Sequence, residues 1–291
     1  MLALLDSPNP VEQLNQVPGW FEDWEQSLSR FRSDSELNQL NRSAGTEMQT
    51  SPVLWEVIQA SLQAARQSDG VVTPTVLAAL ESAGYDRTFE SIQPDESLQR
   101  PGWMLVGDWR AIECTESTRS VCLPPGTRLD LGGIAKGWAA DQAARRLGMY
   151  GPALIDAGGD IAVSAPPSNG ERWPIGVADP SEPDRNLELL LIAQGGVATS
   201  GRDYRRWQRN GVWQHHIIDP RTGQPAETDI IAVTVIAPTA IQAETAAKRV
   251  FILGARAGLD WLEGQPTMAG LLVLESGYVL HSHTLTDYLG S

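Results

Sequence analysis

Apolar residues recur at three- and four-residue spacing in two early stretches, and each predicts a helix with one buried face. Residues 19–31 carry Trp20, Trp24, Leu28 and Phe31, and Val53–Arg66 puts Leu54, Val57, Ile58, Leu62 and Ala65 on one side. A short extended piece after Gly70, VVTPTV, leads into another helical turn. Short runs of β-branched and aliphatic residues then dominate. Trp103–Pro124 reads as two strands joined by the turn TESTRS, and further strands are expected at Arg128–Leu131, Ala153–Ile155, Ile161–Val163, Leu187–Ile192, Ile217–Ile218, Ile231–Ile236, Leu271–Leu274 and Tyr278–Leu280. Two helices interrupt them. One runs from about Ile134 to Leu147 and stops at Gly148; the other starts at Thr239, with Gln242 as capping-box partner, and ends at Gly254. This irregular mixture predicts an α+β fold with mixed, largely antiparallel sheets and flanking helices. No repeat divides the chain, whose length suits one large domain or two small ones; the expected boundaries are an extension over 1–18 and a domain over 19–291.

Composition narrows the function class. The 291-residue chain is 42% hydrophobic and 20% charged, and its 36 acidic against 22 basic side chains give a formal net charge of -14. With no block of Lys or Arg, it is not expected to bind nucleic acid or anionic lipid by neutralising phosphates. No run approaches the ~18 apolar residues of a spanning helix, so no membrane insertion is expected. The start, MLALLDSPNP, lacks a basic n-region and a small-residue cleavage site, which makes the cytoplasm the expected compartment. Cys114 and Cys122 flank the TESTRS turn, where a cross-strand disulfide is conceivable; two unpaired buried thiols are the preferred reading in that compartment. Only Lys136 and Lys248 are lysines, the other twenty basic residues being arginine.

The lysines direct attention to two segments. In RLDLGGIAKGWAADQAARRLG (128–148) an apolar run enters Gly132–Gly133 and a helix follows at once, an arrangement whose free N–H groups attract anions. Lys136 sits in that helix's first turn, where the helix dipole disfavours a cation and an anionic ligand would explain it. A plain packing turn with a solvated lysine explains the residues equally well. The segment matches neither a dinucleotide-binding nor a Walker-type pattern. In TAIQAETAAKRVFILG (239–254), Glu244 and Lys248 are spaced i, i+4 as in an ordinary helix ion pair, although the small Ala243, Ala246 and Ala247 would also allow close approach to a backbone or ligand. In HHIIDPRTGQPA (215–226), strand alternation sends His215 and His216 to opposite faces, so only one can face a site.

Taken in order, SRFRSDSEL, DGVVTPTV, DLGGIAKGWAAD, ALIDAGGDI, VATSGRDYR, HHIIDPRTG and AETAAKRVFILG resemble the FAD:protein FMN transferase family, the ApbE-like proteins, over residues 29–254. The resemblance implies an α+β enzyme that uses Mg²⁺, splits the FAD pyrophosphate, joins FMN to a Thr or Ser hydroxyl of a flavin-accepting protein and releases AMP. By motif position it implies that Leu28 and Val71, Val72 and Thr73 line the flavin site. Asp130 and Lys136 would contact FAD, and Thr199, Ser200, His216 and Ile217 would complete the site. The Gly133 carbonyl and Glu244 would hold the metal. His216, Lys136 and Asp130 are the candidate catalytic groups, His216 as the base for the incoming hydroxyl.

The chain departs from the family pattern at three places. Lys248 stands at the metal-binding position where relatives commonly have threonine, and an ammonium cannot ligate Mg²⁺. Thr73 replaces a common aspartate. The N-terminal strand of many relatives is not evident before residue 19. Two other activities fit the same motifs: hydrolysis of FAD to FMN and AMP, and FAD binding without catalysis.

Overall fold

The computed structural model describes residues 1–92, 104–182, 184–209 and 211–290. The chain divides into two compact units, each assembled from separated stretches: one from residues 1–21, 135–204 and 228–291, the other from 22–134 and 205–227. The first amphipathic helix, α1 (Val17–Leu28), buries Trp24 and Leu28. It ends before Phe31, which was expected on its apolar face and is exposed instead.

The second unit contains α2 (Glu36–Arg42), α3 (Pro52–Gln67) and α4 (Leu77–Ser82). Helix α3 begins where Ser51 accepts a hydrogen bond from the Leu54 N–H at 3.2 Å, with Pro52 in the first turn. Its Leu54, Val57, Ile58, Leu62 and Ala65 are buried, the stripe the spacing predicts. A three-stranded antiparallel sheet, Met48–Gln49, Ser120–Cys122 and Glu113–Thr115, contains the TESTRS hairpin. Trp103, the expected start of this region, lies outside the described residues. Cys114 is opposite Val121 and Cys122 opposite Glu113, so the two thiols point to opposite faces and remain free, but they are not buried as expected: on this short sheet Cys114 is exposed and Cys122 partly exposed.

Arg128–Leu131 is not a strand. The side chain of Asn41 replaces a sheet neighbour, donating to the Leu129 carbonyl at 2.9 Å and accepting its N–H at 2.7 Å, while the Asp130 N–H donates to the Pro74 carbonyl at 2.8 Å. The apolar pattern of Leu129 and Leu131 reflects burial, and no strand ladder is needed to satisfy the backbone.

The other unit is built on a seven-stranded sheet: β1 (Leu2–Leu5), β2 (Ala153–Asp156), β3 (Asp160–Val163), β4 (Gly195–Gly201), β5 (Ile230–Ala237), β6 (Ala269–Leu274) and β7 (Val279–His281). Neighbours in the sheet follow the order β1 to β7, and every pairing is antiparallel. The edge strand β1 comes from residues read as an extension ahead of the domain, where a four-residue apolar run offered no period to identify it.

Strand alternation gives the sheet two different faces. Val197 and Ile236 join a core with Ile175, Val177, Leu190 and Ile192 of the hairpin Trp173–Ala178 and Asn186–Ile192. Their neighbours Ala198 and Ala237 face the other way and pack with Ala243 of α6 (Ala240–Leu253), beside α5 (Ala135–Leu147); α7 (Ala255–Glu263) follows. The approach on this side is close enough that a Cβ at Gly196 would overlap the Ala240 backbone, and one at Gly137 would lie 2.8 Å from the Ala240 carbonyl oxygen. No helix among the described residues is long and apolar enough to cross a membrane.

Candidate functional site

Close packing of α5, α6 and β3 puts four charged side chains in one cluster. Lys136 is in the first turn of α5, Asp160 opens β3, and Glu244 and Lys248 lie one turn apart on α6. The Lys136 ammonium hydrogen-bonds the Asp160 carboxylate and lies 3.6 Å from Glu244 Oε1. Lys248 Nζ donates to the same Oε1 at 2.9 Å, and the Gly137 N–H donates to Oε2 at 3.0 Å. The acids are sealed, with Glu244 and Asp160 side chains 1% and 2% exposed, whereas Lys136 and Lys248 retain 34% and 17%.

Burial alone would raise the Glu244 pKa. The Lys248 and Lys136 charges, with the Lys248 and Gly137 hydrogen bonds, outweigh burial and hold this carboxyl below its ordinary range. One turn further along α5, Asp141 accepts the Ala240 and Ile241 N–H groups at 2.9 and 3.0 Å, fastening the start of α6 to α5. Burial dominates there and pushes the Asp141 carboxyl up despite those bonds.

On β4, Thr199 and Ser200 alternate, so one site cannot take both side chains. Ser200 is buried on the face that Ala198 presents to the helices, the face Asp160 shares through its pairing with Ala198. Thr199 is exposed on the opposite face and bonds the Thr234 hydroxyl at 2.8 Å.

In the other unit an aromatic and cationic group forms around Tyr85. The Arg30 guanidinium lies 4.1 Å from the Phe31 ring centre and 4.4 Å from that of Tyr85. Its Nε bonds Asp130 Oδ2 at 2.8 Å, and Asp130 Oδ1 accepts the Gly132 N–H at 3.0 Å, so Asp130 stabilises the glycine turn ahead of α5. Trp207 and His216 approach Tyr85 with ring centres 5.4 and 6.3 Å away, His216 edge-on. Burial raises the Tyr85 pKa.

His215 turns inward: its Nδ1 accepts the Ile217 N–H at 3.3 Å, which leaves the proton on Nε2 to donate to the Ala226 carbonyl at 3.1 Å. His216 is thus the histidine at the partly open side, beside Tyr85. Leu28, Val72, Thr73 and Ile217 are buried, Thr73 bonding the Thr75 hydroxyl at 2.9 Å, while Val71 is partly exposed. Arg30, Tyr85 and Asp160 were not selected from the sequence. Arg30 lies in SRFRSDSEL and Asp160 in ALIDAGGDI, whereas Tyr85 is nine residues beyond DGVVTPTV, and nothing in local spacing announces the partner of any of them.

A family model described as the ApbE family matches residues 6–272. The chain belongs to the ApbE family. Among relatives of this ApbE-family chain, the FAD:protein FMN transferase of Treponema pallidum is 31% identical over 94% of the chain and 80% of its own length. That of Haemophilus influenzae is 26% identical over 92% and 80%. Among solved structures, the ApbE protein of Thermotoga maritima aligns with a TM-score of 0.85 at 27% identity, covering 99% of this chain and 94% of that one. The apo flavinyl transferase ApbE of Pseudomonas stutzeri shares the fold, at a TM-score of 0.80 and 24% identity over 98% of this ApbE-family chain and 90% of its own.

Proposed function

We propose that this chain transfers FMN from FAD to a Thr or Ser hydroxyl of a flavin-accepting protein. The observation that carries the reading is the alignment of a relative named FAD:protein FMN transferase along 94% of the chain. In the balanced step the acceptor oxygen bonds to the FMN phosphorus and the bond from that phosphorus to the bridging oxygen breaks. AMP leaves with the electron pair, and the hydroxyl proton passes to a base. His216 is the proposed base, since its neighbour His215 is committed to the backbone on both ring nitrogens.

Val71, Asp130, Lys136 and His216 keep part of their surface and are the proposed FAD contacts, whereas the Thr199 side chain lies on the face of β4 away from Asp160 and Lys136. The buried Leu28, Val72, Thr73, Ser200 and Ile217 would act by shaping the backbone around them. Lys136 supplies positive charge where the leaving phosphate gains negative charge.

The resemblance also implies Mg²⁺, with the Gly133 carbonyl and Glu244 among its ligands. Mg²⁺ requires near-octahedral oxygen coordination. Both Glu244 oxygens already accept donors, and two ammonium groups stand within 3.6 Å of Oε1. No group of three or more His, Cys, Asp or Glu side chains among the described residues could hold a metal ion. Magnesium does not fit this donor set, and no step of the reading runs through it.

Incubation with FAD and an acceptor domain containing the target Thr or Ser tests the proposal. Fluorescent flavin bound covalently to the acceptor supports it. Free FMN and AMP with an unmodified acceptor would instead identify a hydrolase, and bound, unchanged FAD a non-catalytic binder.

A further inference from the structure

The cluster of Lys136, Asp160, Glu244 and Lys248 has the layout of an anion site. In a cation site the carboxylates face the ligand and the remaining positions are oxygens or water. Here the carboxylates lie beneath, 1% and 2% exposed, and the surface the cluster retains belongs to two lysine side chains, 34% and 17% exposed. Glu244 lies between both ammonium groups and the Gly137 N–H, so it fixes the lysines in place. Within the four-residue cluster two acids and two lysines cancel in formal charge, and the nearby Asp141 carboxylate is turned to the Ala240 and Ile241 N–H groups.

We propose that in this chain Lys248, with Lys136, takes over the charge neutralisation otherwise supplied by a divalent metal, so that the protein binds the FAD pyrophosphate and transfers FMN without one. The proposal rests on the transferase reading. As the phosphorus–oxygen bond to AMP breaks, the charge gathering on the bridging oxygen is met by the ammonium of Lys248, whose position is set by its bond to Glu244. Lysine retains all its protons in this role and gives none to the leaving group, so the proton balance of the transfer is unchanged. Lys248 is also the second of only two lysines in the chain, and the two contact the same carboxylate oxygen.

The test combines metal binding with catalysis. Mn²⁺ is titrated into the wild-type protein with FAD present and followed by the loss of free-ion electron paramagnetic resonance signal. FMN transfer is measured in parallel with and without EDTA. The expected result is no stoichiometric Mn²⁺ binding and a transfer rate that EDTA leaves unchanged. Lys248→Thr should gain one Mn²⁺ equivalent and become EDTA-sensitive, while Lys248→Met should lose about a hundredfold in transfer rate with no rescue by Mg²⁺. One equivalent of Mn²⁺ bound by the wild type, or transfer abolished by EDTA and restored by Mg²⁺, overturns the proposal. These wild-type measurements do not depend on either variant folding. If FAD is returned unchanged or only hydrolysed under every condition, the transferase reading fails, and the Mn²⁺ titration still decides whether the lysines exclude a divalent ion.

Discussion

At His215 both ring nitrogens are used by the backbone, Nε2 by the Ala226 carbonyl and Nδ1 by the Ile217 N–H. Removing this imidazole leaves buried groups without partners, so His215→Ala should cost roughly 1–3 kcal/mol in denaturant unfolding. His216 stands edge-on to Tyr85 and keeps part of its surface. His216→Ala should lower single-turnover FMN transfer at saturating FAD by about 10²–10⁴-fold. Unchanged transfer would remove His216 as the base. Glu244 yields a pH prediction. Burial opposes its charge, but Lys248 and Lys136 depress its pKa below the ordinary 4.5. Its folded pKa is therefore below its unfolded one, so its stabilisation is present above that value and disappears as pH falls through the depressed one. The stability gap between wild type and Glu244→Gln should thus be widest near neutrality and close in acid; a gap that widens in acid contradicts the assignment.

At the scale of elements, the contact between β4 and α6 depends on the missing side chain of Gly196. Gly196→Ala would force a Cβ into the Ala240 backbone and should destabilise the protein by roughly 2–3 kcal/mol. Gly19, within α1, has open space for at least 4 Å around the position of a Cβ, so Gly19→Ala should be neutral or stabilising by up to about 1 kcal/mol. Thermal unfolding of the pair checks both signs. The same elements show what was legible in the sequence. Helix α3 could be read because its cap and apolar stripe are local, and Thr239 likewise caps α6, accepting the Gln242 N–H at 3.2 Å. Arg128–Leu131 has the apolar pattern of a strand through burial alone, and Asn41, whose side chain pairs with the Leu129 backbone, is 88 residues away. Lys136, Glu244 and Lys248 could be picked out as an unusual concentration of lysines in plausible helices. Their shared contact could not, because Gly137 and Glu244 are 107 residues apart and meet only when α5 packs on α6.

At the scale of the molecule, the interleaved units were not legible, since each is assembled from stretches separated by the other. Net charge was legible, but its meaning changed once the lysines were located. A net charge of -14 repels a dinucleotide at long range, whereas the two lysines attract phosphate only nearby. Salt acts differently on these forces: at about 0.1 M the screening length is only ~10 Å, which removes the far field while leaving partly buried contacts largely intact. Electrostatic steering enters mainly through the association rate. FAD association, followed by stopped-flow quenching of flavin fluorescence, should therefore accelerate roughly two- to fivefold as ionic strength rises from about 0.02 to 0.2 M. A cationic groove that attracted FAD from a distance would give the reverse. Association that slows with salt would mean that the lysines act beyond their own contacts and that the acidic surface does not govern the approach of FAD.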